Sequence, residues 1–179
     1  MTKNFKYIIS LIVMTTAFAV AASAQLPSLA DLGDDVYASD ADGFEIAVPE
    51  ECVNFSDGEG GRNYTCDVKE GRISVSITND GPPIKTEADV ANFLKGFKDT
   101  LVNSPDVKMF GETSAKIGSY RGAAYQITLG GDKTLMIALT WGKFVVVITG
   151  RANSKVANSA DLIGGAVESF KFVSPKTKE

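Results

Sequence analysis

The sequence predicts an α+β fold, an α/β/α sandwich in which two main helices cover a largely antiparallel sheet of about six to seven strands. Three observations indicate it. Segments in which apolar and polar residues alternate recur from residue 44 onwards, tight Gly-rich turns join most of them, and two stretches carry their apolar residues at helical spacing instead. Helices are required because the most apolar strands need cover on both faces.

The first half of the domain is expected to contain three half-buried strands and a helix. The alternating strands lie at 44–48, 64–68 and 73–77. Val90 and the apolar residues three, four, seven and eleven positions beyond it share one helical face, which predicts the first helix. Thr86 and Asp89 have nearly the spacing and chemistry of a capping box at its start.

The second half is expected to contain four more strands and the second helix. The strands lie at 107–117, 120–129, 133–141 and 144–149. The last two are apolar almost throughout, which predicts the centre of the sheet. Helical spacing from Val156 to Phe170 predicts the second helix, and we attribute Gly164 and Gly165 within it to close packing on the sheet. Alternation over 170–173 indicates a short edge strand.

The N-terminus has the three parts of a secretory signal. Lys3 and Lys6 precede an uncharged apolar run over 7–21, and the small residues 22–24 end in Ala24, after which cleavage is expected. A transmembrane anchor is the alternative, but the run is shorter than the roughly 20 residues that a span needs. We therefore expect a periplasmic or secreted protein with no transmembrane segment after cleavage.

These boundaries divide the chain into four parts. They are the signal peptide 1–24, an acidic flexible arm 25–42, a single globular domain 43–173 and a tail 174–179. The processed chain of 155 residues is long enough to bury a core of its own.

Charge and composition argue against several classes of function. The chain has 18 basic and 22 acidic residues, a net charge of −4, and removal of Lys3 and Lys6 with the signal leaves −6. An acidic chain without a basic cluster is not expected to bind nucleic acid or anionic lipid. The absence of histidine excludes Ser-His-Asp and Cys-His catalysis and His-ligated zinc. We expect no enzyme activity and no cofactor or metal.

Two cysteines, Cys52 and Cys66, are predicted to form a disulfide. If 44–55 and 63–68 pair as an antiparallel hairpin centred on position 59, the two thiols lie opposite each other on one face. The bridge would close a loop of about 15 residues and contribute roughly 3 kcal/mol. A redox-active or metal-binding pair is the alternative, but there is no C-x-x-C motif and no nearby histidine.

The order of elements resembles the PsbP/Mog1-like fold family over about residues 43–173. The resemblance is carried by an early F-x-[IV]-x-[VI]-P strand at 44–49, one long helix before a four-strand meander, and a C-terminal helix ending in an S-F-x-F stretch at 169–172. It implies an α/β/α sandwich with an antiparallel sheet. It also implies a non-catalytic accessory or binding protein, and it carries over no functional residues.

Four residues are candidates for an interaction surface. Tyr120, Arg121 and Tyr125 lie close together on one strand, and Tyr and Arg are frequent anchors of interfaces. Trp141, beside a Gly-Lys turn, is a candidate for an exposed aromatic anchor of an interface. The alternatives are a sheet edge or partial core for the first three and a core position for Trp141.

Three functions follow from these observations. The first is an exported, non-catalytic module that binds a protein partner or a small apolar ligand beside the sheet. The second is a glycan or cell-wall hydrolase that uses two carboxylates about 5–9.5 Å apart in one concave pocket. The third is a structural envelope protein that acts through the arm 25–42.

Overall fold

The computed structural model describes most of the predicted domain. The described residues are 36–39, 42–49, 53–56, 61–79, 81 and 83–173. The predicted signal peptide with its cleavage site, the tail 174–179 and Cys52 lie outside them. Within the described ranges, neither helix is long and apolar enough to cross a membrane.

The described residues form ten strands and two helices. The strands are β1 (Val36–Ser39), β2 (Phe44–Ala47), β3 (Val53–Ser56), β4 (Gly61–Val68), β5 (Gly71–Thr78), β6 (Val107–Ile117), β7 (Tyr120–Leu129), β8 (Asp132–Trp141), β9 (Phe144–Ala152) and β10 (Lys171–Phe172). The helices are α1 (Glu87–Val102) and α2 (Ser159–Glu168).

Seven of the strands form one antiparallel sheet in the order β3-β4-β5-β9-β8-β7-β6. The apolar strands β8 and β9 lie at its centre, as predicted, and the pairing of Ile137 with Ile148 fixes their register. Residues on both faces of these two strands are buried, which explains why their sequences are apolar almost throughout. The predicted α+β fold with its antiparallel sheet is confirmed.

Each face of this sheet carries its own apolar core beneath one helix. On one face α1 packs on β6, β7 and β8. The buried residues of α1 are Val90, Phe93, Phe97 and Leu101. On the other face α2 packs mainly on β9 and β5, with Ile163 and Val167 almost completely buried. The two helices therefore complete the predicted sandwich.

A capping box fixes the start of α1 at the predicted residues. The Asp89 amide donates to Thr86 Oγ1 at 3.2 Å, and the Thr86 amide donates back to Asp89 Oδ2 at 2.9 Å. Hydrogen bonds from the Lys85 backbone, and then from the side chain and backbone of Thr86, hold the pKa of Asp89 below its usual value. The negative charge is thus retained where the helix dipole favours it.

A second sheet of three strands, in the order β1-β2-β10, lies on the α2 face and corrects the predicted hairpin. The segment 44–55 is not one strand, because β2 pairs with β1 and only β3 pairs with β4. The hairpin register itself is as expected, since Val53 pairs with Thr65. Phe44 of β2 is completely buried in the core on this face.

The same small sheet corrects two boundaries. Val36–Ser39, within the segment assigned to a flexible arm, is the strand β1, because Tyr37 packs against Phe44 and Tyr64 at ring-centroid distances of 6.2 and 5.8 Å. The remainder of that arm, apart from Asp42, lies outside the described residues. The short strand predicted over 170–173 exists as β10, but it pairs with β2 and does not form an edge of the main sheet.

The close approach of α2 to the sheet occurs at a strand glycine and not at the two helix glycines. A Cβ on Gly150 would lie 2.5 Å from Val167 Cγ2 and 2.6 Å from Ile163 Cγ2. A Cβ on Gly164 or Gly165 would meet no atom within 4 Å. The prediction that these helix glycines allow close packing is therefore wrong, and both face open space.

Candidate functional site

The four residues singled out from the sequence do not form one surface. Trp141 and Phe144 face each other across the turn between β8 and β9, and their exposed fractions are 37% and 45%. Tyr120 lies beside Trp141 on the neighbouring strand, since the next pair along, Arg121 and Thr140, is in register. Trp141 is thus an exposed aromatic residue at one end of the sheet.

Tyr120 is largely covered within the molecule. Its ring stacks on Phe172 of β10, with centroids 4.1 Å apart and planes 16° apart. Burial raises the pKa of its hydroxyl. Tyr120 therefore helps to attach the small sheet to the main one, and only part of it remains available to a partner.

Arg121 lies on the opposite face of β7 from Tyr120. Its guanidinium donates to the carbonyl of Ser119 at 2.9 Å and lies 3.7 Å from Glu87 at the start of α1. These contacts connect the β6–β7 turn to the start of α1. The guanidinium therefore has a structural role within the domain.

Tyr125 belongs to the core and is not accessible to a partner. It is completely buried beneath α1, and no other described group forms a hydrogen bond with its hydroxyl. Burial, with a smaller contribution from the charge of Glu112, raises the pKa of Tyr125 to about 12. Because residues alternate along a strand, Tyr125 and Tyr120 lie on opposite faces of the sheet.

An open cleft of about 430 Å³ lies on the other face of the sheet, between α2 and the outer strands. Its volume is in the range of ligand-binding pockets. The cleft is lined by Phe110, Gln126, Lys133, Thr134, Leu135, Gly150, Ala152, Ala160, Asp161, Gly164, Gly165 and Glu168. A second cavity, beside Cys66 and Tyr37, has about 20 Å³, which is enough for about one water molecule.

Three residues of the cleft floor belong to a row that crosses four strands. Gly150 on β9 faces Leu135 on β8, which faces Gln126 on β7, which faces Gly111 on β6. A Cβ on Gly111 would lie 2.8 Å from Gln126 Oε1, so the glutamine side chain lies over this glycine. The helix covers the Gly150 end of the row and leaves the other end open to solvent.

A β-bulge places an exposed aromatic ring at the open end of the cleft. Met109 pairs with Ile127 and Gly111 with Gln126, so Phe110 has no partner on β7. The Phe110 side chain is 60% exposed, the highest value among the exposed large apolar residues of the described chain. Sequence reasoning missed this residue because β6 is only weakly apolar, although a glycine inside a strand pattern is a known signal of a bulge.

Charged side chains surround the cleft without neutralising one another. Lys133 is exposed on the sheet side, and Asp161 and Glu168 are exposed on α2. Among the described residues, none of the three takes part in a salt bridge. No group of three or more metal-ligating side chains occurs in the described ranges either. The cleft therefore offers a floor of apolar and polar side chains, with two carboxylates and one ammonium group at its rim.

Comparison with solved structures identifies the architecture. The solution structure of cyanobacterial PsbP (CyanoP) from Synechocystis sp. PCC 6803 superposes with a TM-score of 0.52 at 14% sequence identity, covering 87% of this chain and 98% of that one. The chain has a PsbP-like fold. This PsbP-like fold is the one that the order of elements in the sequence indicated.

Other comparisons add less to the PsbP-like assignment. A crystal structure from Bacteroides thetaiotaomicron VPI-5482 is similar at 14% identity with a TM-score of 0.40, over 76% of this chain and 47% of that one, so the chain spans about half of that protein. No protein-family model and no curated protein matches the chain.

Proposed function

We propose that the protein is an exported, non-catalytic binding protein that holds its ligand in the cleft between α2 and the outer strands of the sheet. The main support for this proposal is the cleft itself. It has a volume of about 430 Å³, and Phe110, which lines it, is 60% exposed. Exposed aromatic side chains beside a concave, partly apolar surface are typical of binding sites.

Composition supports a binding role over catalysis. The chain contains no histidine, and its described residues hold no cluster of metal-ligating side chains. The N-terminal sequence supports export to the periplasm or the exterior, and the PsbP-like fold is compatible with an accessory protein. Each of these points favours the proposal and leaves the ligand to be identified.

The proposal is tested by native mass spectrometry on the protein purified after export from its own envelope, with mild crosslinking. We expect a ligand or partner to accompany the wild-type protein. Gly164→Leu should remove it, because a Cβ there meets no atom within 4 Å and the longer side chain would extend into the cleft.

A matched control separates this site from the aromatic end of the sheet. Trp141→Ala removes an exposed side chain far from the cleft lining and should leave the bound species in place. A wild-type protein that carries neither ligand nor partner contradicts the proposed function. Loss of the bound species from Trp141→Ala but not from Gly164→Leu would assign binding to the other end of the molecule.

A carboxylate-dependent glycan hydrolase is the second candidate, because Asp161 and Glu168 share the cleft. The two residues are seven positions apart on one helix, a rise of about 10.5 Å, which is beyond the usual spacing of catalytic carboxyl pairs. Both side chains are also exposed, whereas a general acid needs a buried one. Release of reducing sugar from cell-wall polymer that is abolished by Glu168→Gln would favour the hydrolase.

A further inference from the structure

The helix wall of the cleft presents two carboxylates in a row. Asp161 and Glu168 are seven positions apart on α2, which places them on one flank about 10.5 Å apart along the axis. Both are exposed, and neither has a basic partner within the part of the chain that the structure describes. They are therefore available to cationic groups of a ligand.

The opposite side of the cleft carries two apolar side chains among polar ones. Leu135 is half-buried on the floor and Phe110 projects from the bulge, so apolar groups of a ligand can pack there. Lys133 contributes one positive charge to the rim against the two negative charges of the helix. The whole chain is acidic, with a net charge of −4, and its field adds to the attraction of a cation.

Space along the helix wall is open at the position between the two acids. Gly164 lies midway between Asp161 and Glu168, and neither it nor Gly165 is needed for packing, since a Cβ at either position meets no atom within 4 Å. Glycine is among the poorest helix formers, so a helix with two adjacent glycines is weaker than one with alanine there. Their position gives a ligand backbone direct access to the helix surface.

We propose that the cleft binds an extended peptide segment in which basic side chains flank apolar ones, an assignment that rests on the proposed binding function. In the extended polyproline II conformation a chain rises about 3.1 Å per residue with three residues per turn, so side chains three positions apart lie on one face and nearly span the roughly 10.5 Å between the two acids. A basic residue at the first and the fourth position reaches Asp161 and Glu168. The two residues between them pack on Phe110 and Leu135.

Other occupants predict a different response to charge. A neutral apolar ligand, such as an acyl chain, gains nothing from the two carboxylates, and an anionic ligand is repelled by them. Weaker binding after removal of the two carboxylates therefore distinguishes the cationic peptide from both.

The test compares two blocked tetrapeptides, acetyl-Lys-Leu-Phe-Lys-amide and acetyl-Glu-Leu-Phe-Glu-amide, by isothermal titration calorimetry with the exported protein at low salt. We expect the lysine peptide to bind and the glutamate peptide to bind at least about tenfold more weakly. The double variant Asp161→Asn, Glu168→Gln should weaken the lysine peptide about three- to tenfold, as two exposed ion pairs allow. Asp99→Asn, which changes an exposed acid of α1 outside the cleft, should leave the affinity unchanged.

Equal affinities for the two peptides, no binding of either, or an affinity that the double variant does not change would overturn the peptide assignment. These failures are distinct from failure of the proposed function. If a bound species is found by mass spectrometry and Gly164→Leu displaces it, the cleft is a binding site for a ligand of another class. If Gly164→Leu keeps its native melting temperature and still binds the lysine peptide as wild type does, the cleft is not the site.

Discussion

Phe97 of α1 stacks on Tyr125 of β7, with ring centroids 5.7 Å apart and planes inclined by 26°. Both side chains are almost completely buried, so this contact joins the helix to the sheet. We expect Phe97→Ala to lower the free energy of unfolding by about 3–5 kcal/mol, because it removes a buried ring and leaves a cavity. Urea denaturation monitored by circular dichroism measures the change. A difference near zero would mean that this face of α1 is not core.

Tyr125 supplies a second prediction because its buried hydroxyl has no hydrogen-bond partner among the described residues. Tyr125→Phe removes that oxygen while keeping the ring against Phe97. A buried hydroxyl without a hydrogen bond is unfavourable by about 1–3 kcal/mol, so the variant should melt at a higher temperature. A lower melting temperature for Tyr125→Phe would indicate a hydrogen bond that the structure does not contain.

The pH dependence of stability should reveal the same residue. The pKa of Tyr125 is about 12 in the folded protein, above the value near 10 of an unfolded tyrosine. Between these values the unfolded chain releases the proton first, so stability falls as the pH rises from about 10 to 12 and this contribution is complete below pH 10. Tyr125→Phe should show a smaller decline over this range than wild type, measured by thermal melts at a series of pH values. Equal declines in the two proteins would contradict the raised pKa.

Alanine substitution should change stability in opposite directions at two glycines, one on the strand beneath α2 and one on the open flank of α2. Gly150→Ala places a methyl group against the buried Ile163 and Val167, and overpacking of this kind lowers stability by about 1–3 kcal/mol. Gly164→Ala meets no neighbour and strengthens the helix, raising stability by about 0.5–1 kcal/mol. Thermal melts of the two variants beside wild type measure both signs. A destabilised Gly164→Ala would show that this helix flank is packed and that the cleft is not open.

Reduction should weaken the folded protein if the predicted Cys52–Cys66 disulfide forms. Cys66 lies on β4 and is buried in the hydrophobic core. The pairing of Val53 with Thr65 is the strand register that the bridge requires. Loss of a bridge closing about 15 residues corresponds to roughly 3 kcal/mol, so the melting temperature should fall clearly with dithiothreitol. Mass spectrometry after thiol alkylation provides the independent count of free thiols. An unchanged melting temperature would rule the bridge out.

The parts of the fold that sequence patterns predicted are those set by local periodicity. The helical spacing that begins at Val90 predicted α1, and the pair Thr86 and Asp89 predicted its cap. Both signals come from residues that are close together in the sequence. The uninterrupted apolar character of β8 and β9 placed them at the sheet centre for the same reason.

The features that the sequence did not predict depend on contacts between distant segments. The small sheet requires β2 to pair with β10, and no local pattern in residues 44–47 distinguishes that partner from the neighbouring β3. The cleft likewise depends on how far α2 extends over the sheet, so the exposure of Phe110 and the open flank at Gly164 emerge only in three dimensions. Of the sequence-predicted interaction residues, Tyr125 was misplaced because strand alternation does not say which face the longer helix covers.

The pairing of β10 with β2 also has a consequence for biogenesis. Phe44 contacts Phe170 at a centroid distance of 5.4 Å, so one of the earliest strands is completed by nearly the last residues of the domain. In a polypeptide that emerges N-terminus first, from a ribosome or through a translocation channel, the edge of β2 that pairs with β10 stays unpaired until the final segment is released. During vectorial synthesis, β2 therefore remains available for pairing with other chains until β10 has been made.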